Sequence, residues 1–270
     1  MPESPEVQVV VDSLQFLKDR TINSIFVDNS RSWIIKNDLS SILDDKIYDV
    51  YRKGKFIIFS HLSERKTVVH LSFTGCFSEE SKDYLALKFF LDSERILYFS
   101  DKRGLSSIKV LSKDAFIDDP TLKAHKVDGL SSSKEDILAQ LQDLRNRGIK
   151  KELKPFLLDY HYICGIGNIY SSEICFDAKL HPKKKFCDLS DEQLIQLSIS
   201  IPLILRRAYF AGGSSIESFI HMDGKIGDAQ KYHKVYHKEI CSDCGARIVS
   251  FKQDGRTTFY CPNCQGGESK

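Results

Sequence analysis

The stretch KFIIFSHLSERKTVVHLSFTGCFSEESKDYLALKFFLDSERILYFS (55–100) decides the fold class of the first half of the chain. It holds four runs rich in β-branched and aromatic residues, 55–62, 66–73, 84–91 and 95–100, split by polar breaks. Runs of this length and composition are strands. The same kind of text extends over 22–111 and reads as an antiparallel sandwich or barrel. Upstream, Val7, Val10, Val11, Leu14 and Leu17 recur at helical spacing, with Ser4 the expected N-cap and Pro5 at the first helical position.

Residues 118–134 carry DDP, a glycine and Ser131-Ser132-Ser133, which is linker composition. Helical patterns follow: Ile137, Leu138, Leu141 and Leu144 share a face, then come segments near 152–161, 168–178, 190–210 and 214–220, with Pro202 expected to kink or restart the 190–210 helix. The expected class is α+β. A sandwich domain flanked by helices is expected over 1–120, a linker over 121–134, a helical domain over 135–236 and a cysteine finger over 237–267.

Bulk composition is that of an ordinary globular protein: 270 residues, 41% hydrophobic and 28% charged. Net charge is only +2, but residues 145–185 hold nine basic side chains against four acidic ones, a local excess suited to a polyanion. No run approaches the length of a membrane span, and MPESPE at the start lacks the basic-then-apolar order of a signal peptide. The expectation is an intracellular monomer that is not secreted and has no membrane partner.

Cys241, Cys244, Cys261 and Cys264 form C-x2-C-x16-C-x2-C. Each close pair presents two thiolates from one turn to a tetrahedral ion, and four thiolates leave no open position for chemistry. The expected cofactor is one structural Zn2+. ARIVSF (246–251) and RTTFYC (256–261) supply a hairpin around Gln253-Asp254-Gly255, with Arg256 just past the tip in a position suited to phosphate. Two disulfides are the alternative reading of the cysteine pairs, and a reducing compartment with one metal site is the economical one.

KPFLLDYHYICGIGNIYSSEICF (154–176) is two helical stretches broken by Gly165-Ile166-Gly167-Asn168. That is a helix–two-turns–helix, in which Asn168 is the expected cap and leaves N–H groups facing an anion, with Lys154 upstream. At the chain start, removal of the initiator methionine exposes Pro2 as a secondary amine. An α-amine of pKa near 8 is substantially unprotonated at neutral pH, unlike an ordinary lysine, so Pro2 is an available nucleophile. Glu3 beside it is a candidate proton donor and acceptor.

MPESPEV, KPFLLD…GIGNIYSSEI and the finger ending RTTFYCPNCQ together resemble the Fpg/Nei family of bifunctional DNA glycosylases, in the right order and at both ends of the chain. The resemblance implies an N-terminal β-sandwich, a C-terminal helical domain with helix–two-turns–helix and zinc finger, and damaged DNA held in the cleft between them. It implies that Pro2 attacks C1′ of the damaged nucleotide, that Glu3 is the general acid/base and that Glu6 supports the site. By the same carry-over Lys55 (RKGKFII), Asn168 and Arg256 hold phosphates near the lesion, and β- then δ-elimination cuts the strand.

Where relatives that remove 8-oxoguanine fill the vacated stack with Met, Arg and Phe, this chain offers Phe73, Arg103 and Leu105 in HLSFTG and SDKRGLSS. An altered wedge makes single-stranded or opened DNA a relatively favoured substrate beside duplex. RKGKFII and VYHKEIC resemble the Nei branch and point to oxidised pyrimidines and hydantoins. An 8-oxoguanine/formamidopyrimidine enzyme is the alternative. Two further readings are a zinc-dependent DNA-binding protein without catalysis and a zinc ribbon for protein contacts.

Overall fold

The computed structural model describes residues 1–215 and 219–266. The chain forms two compact units, Met1–Lys123 joined by Ala211–Asp228, and Ala124–Phe210 joined by the chain from Ala229 onward.

In the first unit helix α1 (Ser4–Ser13) precedes strands β1 (Ile22–Val27), β2 (Ile47–Lys53), β3 (Phe56–His61), β4 (Lys66–His70), β5 (Gly75–Ser78), β6 (Leu85–Leu91), β7 (Ile96–Asp101) and β8 (Ser107–Leu111). The strands build two antiparallel sheets, ordered β1-β6-β7-β5 and β2-β3-β4-β8. One core joins them, with Ile57 and Phe59 from one sheet, Phe77, Leu87, Phe89 and Phe99 from the other, and Val7, Val10 and Val11 from α1. Phe59 bridges the sheets, its ring 5.9 Å from that of Phe77 and 6.4 Å from that of Phe89. Truncating such a buried aromatic costs about 3–5 kcal/mol.

Strand β3 is apolar on both faces because both are covered. Ile57 and Phe59 face the shared core, while Ile58 packs with Val68, Phe116 and Leu122. The last two come from short helices α2 (Lys113–Asp118) and α3 (Pro120–Ala124). Part of the expected linker is therefore helix, with Leu122 buried.

The helical unit contains α4 (Lys134–Asn146), α5 (Leu153–Leu158), α6 (Asn168–Asp177) and α7 (Asp191–Phe210), followed by the hairpin β9 (Val249–Gln253) and β10 (Arg256–Tyr260). Helix α7 runs continuously through Pro202, without the restart that was one of the two expected outcomes. Leu194, Leu197, Ile201 and Leu205 are buried on either side of the proline, and this packing outweighs one missing backbone hydrogen bond.

The segment expected as a helix over 214–220 is not one in its described residues. Gly212 and Gly213 adopt φ of 76° and 79°, which ends helical geometry, and Ser214 forms a bridge with Asp228. Ile216, Glu217 and Ser218 lie outside the described residues. The described residues of Ala211–Asp228 group with the sandwich unit, whereas the sequence pattern placed them in the helical domain.

Candidate active site and nucleic-acid interface

The first candidate site is the N-terminal corner of the sandwich unit. The cap of α1 is Glu3, not Ser4, and the two glutamates form a capping box in which the Glu3 N–H donates to Glu6 Oε2 at 2.8 Å. Glu6 Oε1 accepts the Ser214 N–H, also at 2.8 Å. Each carboxylate oxygen of Glu6 thus holds a different piece of backbone, and both glutamates are buried. Gly213 is required here, since a Cβ at that position would stand 3.0 Å from Glu6 Cγ and 3.1 Å from its Oε1. Pro2 lines a small apolar cavity with Phe73, Phe77, Phe219 and Met222.

Lys55 follows Gly54 in the turn between β2 and β3 and is half-buried. Burial first, and the Lys55 charge second, push the imidazole of His70 down to about 4, so His70 is neutral at physiological pH. His70 pairs with Phe56 across β3 and β4, its ring 5.1 Å away. Sequence reasoning passed over His70 because a lone histidine inside a strand pattern carries no signal of its neighbours.

Phe73, Arg103 and Leu105, expected as the wedge, come from two loops locked together by Asp101. This fully buried carboxylate accepts from the Thr74 hydroxyl, from the Arg103 N–H at 3.1 Å and from the Ser106 N–H at 2.8 Å. Burial alone would raise its carboxyl, but these hydrogen bonds outweigh it and hold the group below the usual range. The Ser106 hydroxyl donates to the Leu71 carbonyl at 2.8 Å, and Gly75 leaves room for it, because a Cβ there would meet Ser106 Oγ at 2.2 Å. On this frame Arg103 lies over the Phe73 ring at 4.4 Å, and Leu105 is 50% exposed.

In the helical unit Asn168 is the first residue of α6 and Gly167 its N-cap, so Asn168 is not the cap the spacing suggested. Its side-chain Oδ1 is buried and has no hydrogen-bond partner. Arg256 is exposed at the start of β10, directly after the Asp254-Gly255 turn that joins it to Gln253.

Lys154 is placed otherwise than expected. It is fully buried, and its ammonium donates at 3.0 Å both to Ser172 Oγ on α6 and to the Thr257 carbonyl beside Arg256. Expected among the DNA-binding residues, it is enclosed within the helical unit. It ties the finger hairpin to α6, and two glutamines assist: Gln253 Nε2 donates to Glu152 at 2.6 Å, and Gln265 Nε2 donates to the Leu180 carbonyl at 2.9 Å.

Glu173 was also missed. Its carboxylate accepts the N–H groups of Lys234, Val235 and Tyr236 at 2.7, 3.0 and 2.8 Å, and burial raises its carboxyl against the pull of those bonds. One charged residue in the apolar stretch NIYSSEICF was the available signal.

The sulfurs of Cys241, Cys244, Cys261 and Cys264 all lie within 4.8 Å of one another, with Cys241–Cys264 at 3.8 Å and Cys244–Cys261 at 3.4 Å. Four thiolates at about 2.3 Å from a central zinc stand about 3.8 Å apart, so the set fits one tetrahedral ion. The four sulfurs converge on one point and no pair stands at the S–S bond length of about 2.05 Å, which favours the metal over two disulfides. No described helix is long and apolar enough to cross a membrane.

Comparison with known proteins places three family descriptions along the chain. Residues 1–108 match the formamidopyrimidine-DNA glycosylase N-terminal domain, 128–220 the formamidopyrimidine-DNA glycosylase H2TH domain, and 238–266 a zinc finger found in FPG and IleRS. The formamidopyrimidine-DNA glycosylase of Rickettsia africae is 32% identical over 280 residues, covering 98% of this chain and 99% of the relative. That of Listeria innocua is 31% identical, covering 98% and 100%. Among solved structures, MutM (Fpg) from Thermus thermophilus superposes with a TM-score of 0.87 at 28% identity, covering 98% and 99%. Lactococcus lactis Fpg bound to DNA containing an abasic site gives 0.85 at 28% identity, covering 98% and 100%.

Proposed function

The chain belongs to the formamidopyrimidine-DNA glycosylase family, and on that premise we propose that it excises oxidised bases from DNA with Pro2 as nucleophile and then cleaves the strand at the abasic site. It is a DNA glycosylase with AP lyase activity, acting in base excision repair on damaged DNA, and its finger is a structural zinc site.

The observation that carries the reading is the corner itself: Pro2 borders a cavity beside the wedge residue Phe73, next to a carboxylate at the helix cap. With its methionine removed, the Pro2 nitrogen bonds to C1′ as the glycosidic bond breaks and the base departs. Glu3 delivers a proton to the ring oxygen as the sugar opens, leaving an iminium between Pro2 and C1′. That cation acidifies the C2′ hydrogens. Loss of one expels the 3′ phosphate, and a further elimination expels the 5′ phosphate. Glu6 holds the start of α1 against Ser214, so it positions Pro2 and Glu3 without touching substrate.

Asn168 and Arg256 hold phosphates of the damaged strand, and Lys55 does so near the lesion. Extruding a base costs a few kcal/mol in unstacking, which grips on the backbone offset. Zinc holds the finger so that Arg256 is presented from a fixed hairpin.

For the lesion, the names of the relatives favour formamidopyrimidines, and one Lactococcus lactis structure holds Fapy-dG-containing DNA. RKGKFII and VYHKEIC support a second reading, oxidised pyrimidines and hydantoins. The test is borohydride trapping on oligonucleotides carrying Fapy-dG, 8-oxoguanine, thymine glycol, a hydantoin or an abasic site. A covalent adduct that vanishes in Pro2→Gly and loses base excision in Glu3→Gln is expected, and its rank order assigns the lesion. A protein that binds these oligonucleotides but forms no adduct is a DNA-binding module, and the reading fails.

A further inference from the structure

A second cavity opens on the other side of the wedge. It has a volume of about 420 Å3 and, among the described residues, shares only Cys76 with the cavity that Pro2 lines. Phe73 and Gly75 border the Pro2 cavity, whereas Thr74 borders this cleft. Lys82 and Lys102 stand on its walls, Tyr84 supplies a ring, and Asp83 is its one acid.

Four observations mark it as a built recess. Ser100, only 3% exposed, lines it with a hydroxyl that has no hydrogen-bond partner. Tyr84 is held at φ 62°, a region costly for a bulky residue, by the Asp101 N–H bonding to its carbonyl at 3.0 Å. Its ring is half-exposed, with the Arg31 guanidinium 5.1 Å and the Lys102 ammonium 6.0 Å from its centre. The same Asp101 anchors Thr74 and Arg103, so cleft and wedge form one rigid piece. Paired cations around an aromatic ring suit a nucleotide, the base on the ring and phosphates on the ammonium groups.

We propose that this cleft receives the undamaged strand, at the nucleotide left without a partner when the damaged one is extruded toward Pro2. The inference rests on the function proposed above. The damaged nucleotide is committed to Pro2, and the loop that carries Phe73, the expected wedge, lies between the Pro2 cavity and this cleft. Its partner is stranded on the far side, where Tyr84 replaces the lost stacking and Lys82 and Lys102 take phosphates.

The test compares two substrates carrying the same abasic site: an intact duplex, and one whose complementary strand lacks the nucleotide facing the lesion. In the Lys82→Ala/Lys102→Ala double variant, kcat/KM on the intact duplex is expected to fall about tenfold and the salt slope of its binding by about two, with gapped-duplex cleavage unchanged within about twofold. Tyr84→Leu should remove the quenching of 2-aminopurine placed opposite the lesion. Thermal unfolding at the wild-type temperature verifies the fold of each variant. Equal losses on both substrates would assign the cleft to the damaged strand, and no loss on either would make it a solvated patch; each overturns the proposal. Failure of the wild type to form any borohydride adduct sinks the function itself, a result separate from either.

Discussion

The wedge and the finger both present an arginine to solvent, yet they are held in place by opposite means. Arg103 stands on a frame made by one buried carboxylate, with Asp101 drawing in Thr74 and the N–H groups of Arg103 and Ser106. Arg256 stands on a hairpin made rigid by four thiolates and by the buried Lys154 ammonium. A carboxylate that satisfies local N–H groups needs nothing from outside the chain. A two-stranded hairpin cannot bury enough apolar surface to fold alone, so the finger depends on its ion. The lesson is that one protein can fix two exposed arginines with independent vulnerabilities, which experiments can separate.

The largest expected effect is metal removal. Chelation, or Cys261→Ser, should unfold the finger and weaken binding to abasic-site DNA by about a hundredfold or more, with β-sheet circular dichroism of the sandwich retained. Loss of the sandwich signal in parallel would break the contrast. Next comes Asp101→Ala, which strands buried N–H groups and should lower stability by about 3 kcal/mol in denaturant unfolding while leaving zinc content intact.

Lys154→Met is smaller. It leaves the Thr257 carbonyl and Ser172 without their donor, at about 1–2 kcal/mol, and should raise the dissociation constant for DNA several-fold through the loosened hairpin. An unchanged dissociation constant would show that the zinc alone positions Arg256.

Acid should produce the most gradual change. Burial pushes His61 in the sandwich and His233 in the helical unit down to about 4, so the native state holds both neutral. The unfolded chain binds those protons near the ordinary pKa of about 6.5. Stability is therefore full above that value and declines as pH falls toward 4. A melting temperature flat across this window would contradict the burial of both imidazoles.

The sheets were legible because β-branched runs with short breaks leave few other options, and the finger because paired thiols at that spacing have one common use. The burial of Lys154 was not legible, because sequence records a charge but not whether the fold surrounds it. That α7 would not restart at Pro202 was not legible, because propensity does not record the apolar side chains that pin both halves of the helix. Ser214 and Tyr84 gave no local sign, since their importance lies in backbone contacts with Glu6 and Asp101, which are distant in sequence.

The central claim is that a secondary amine at the chain start performs the chemistry, and peptide mapping of the borohydride-trapped complex tests it most directly. The account predicts a DNA adduct on a peptide beginning with Pro2 and no methionine on the active fraction. An adduct on Lys55 or another lysine, or full activity with Met1 retained, would contradict it.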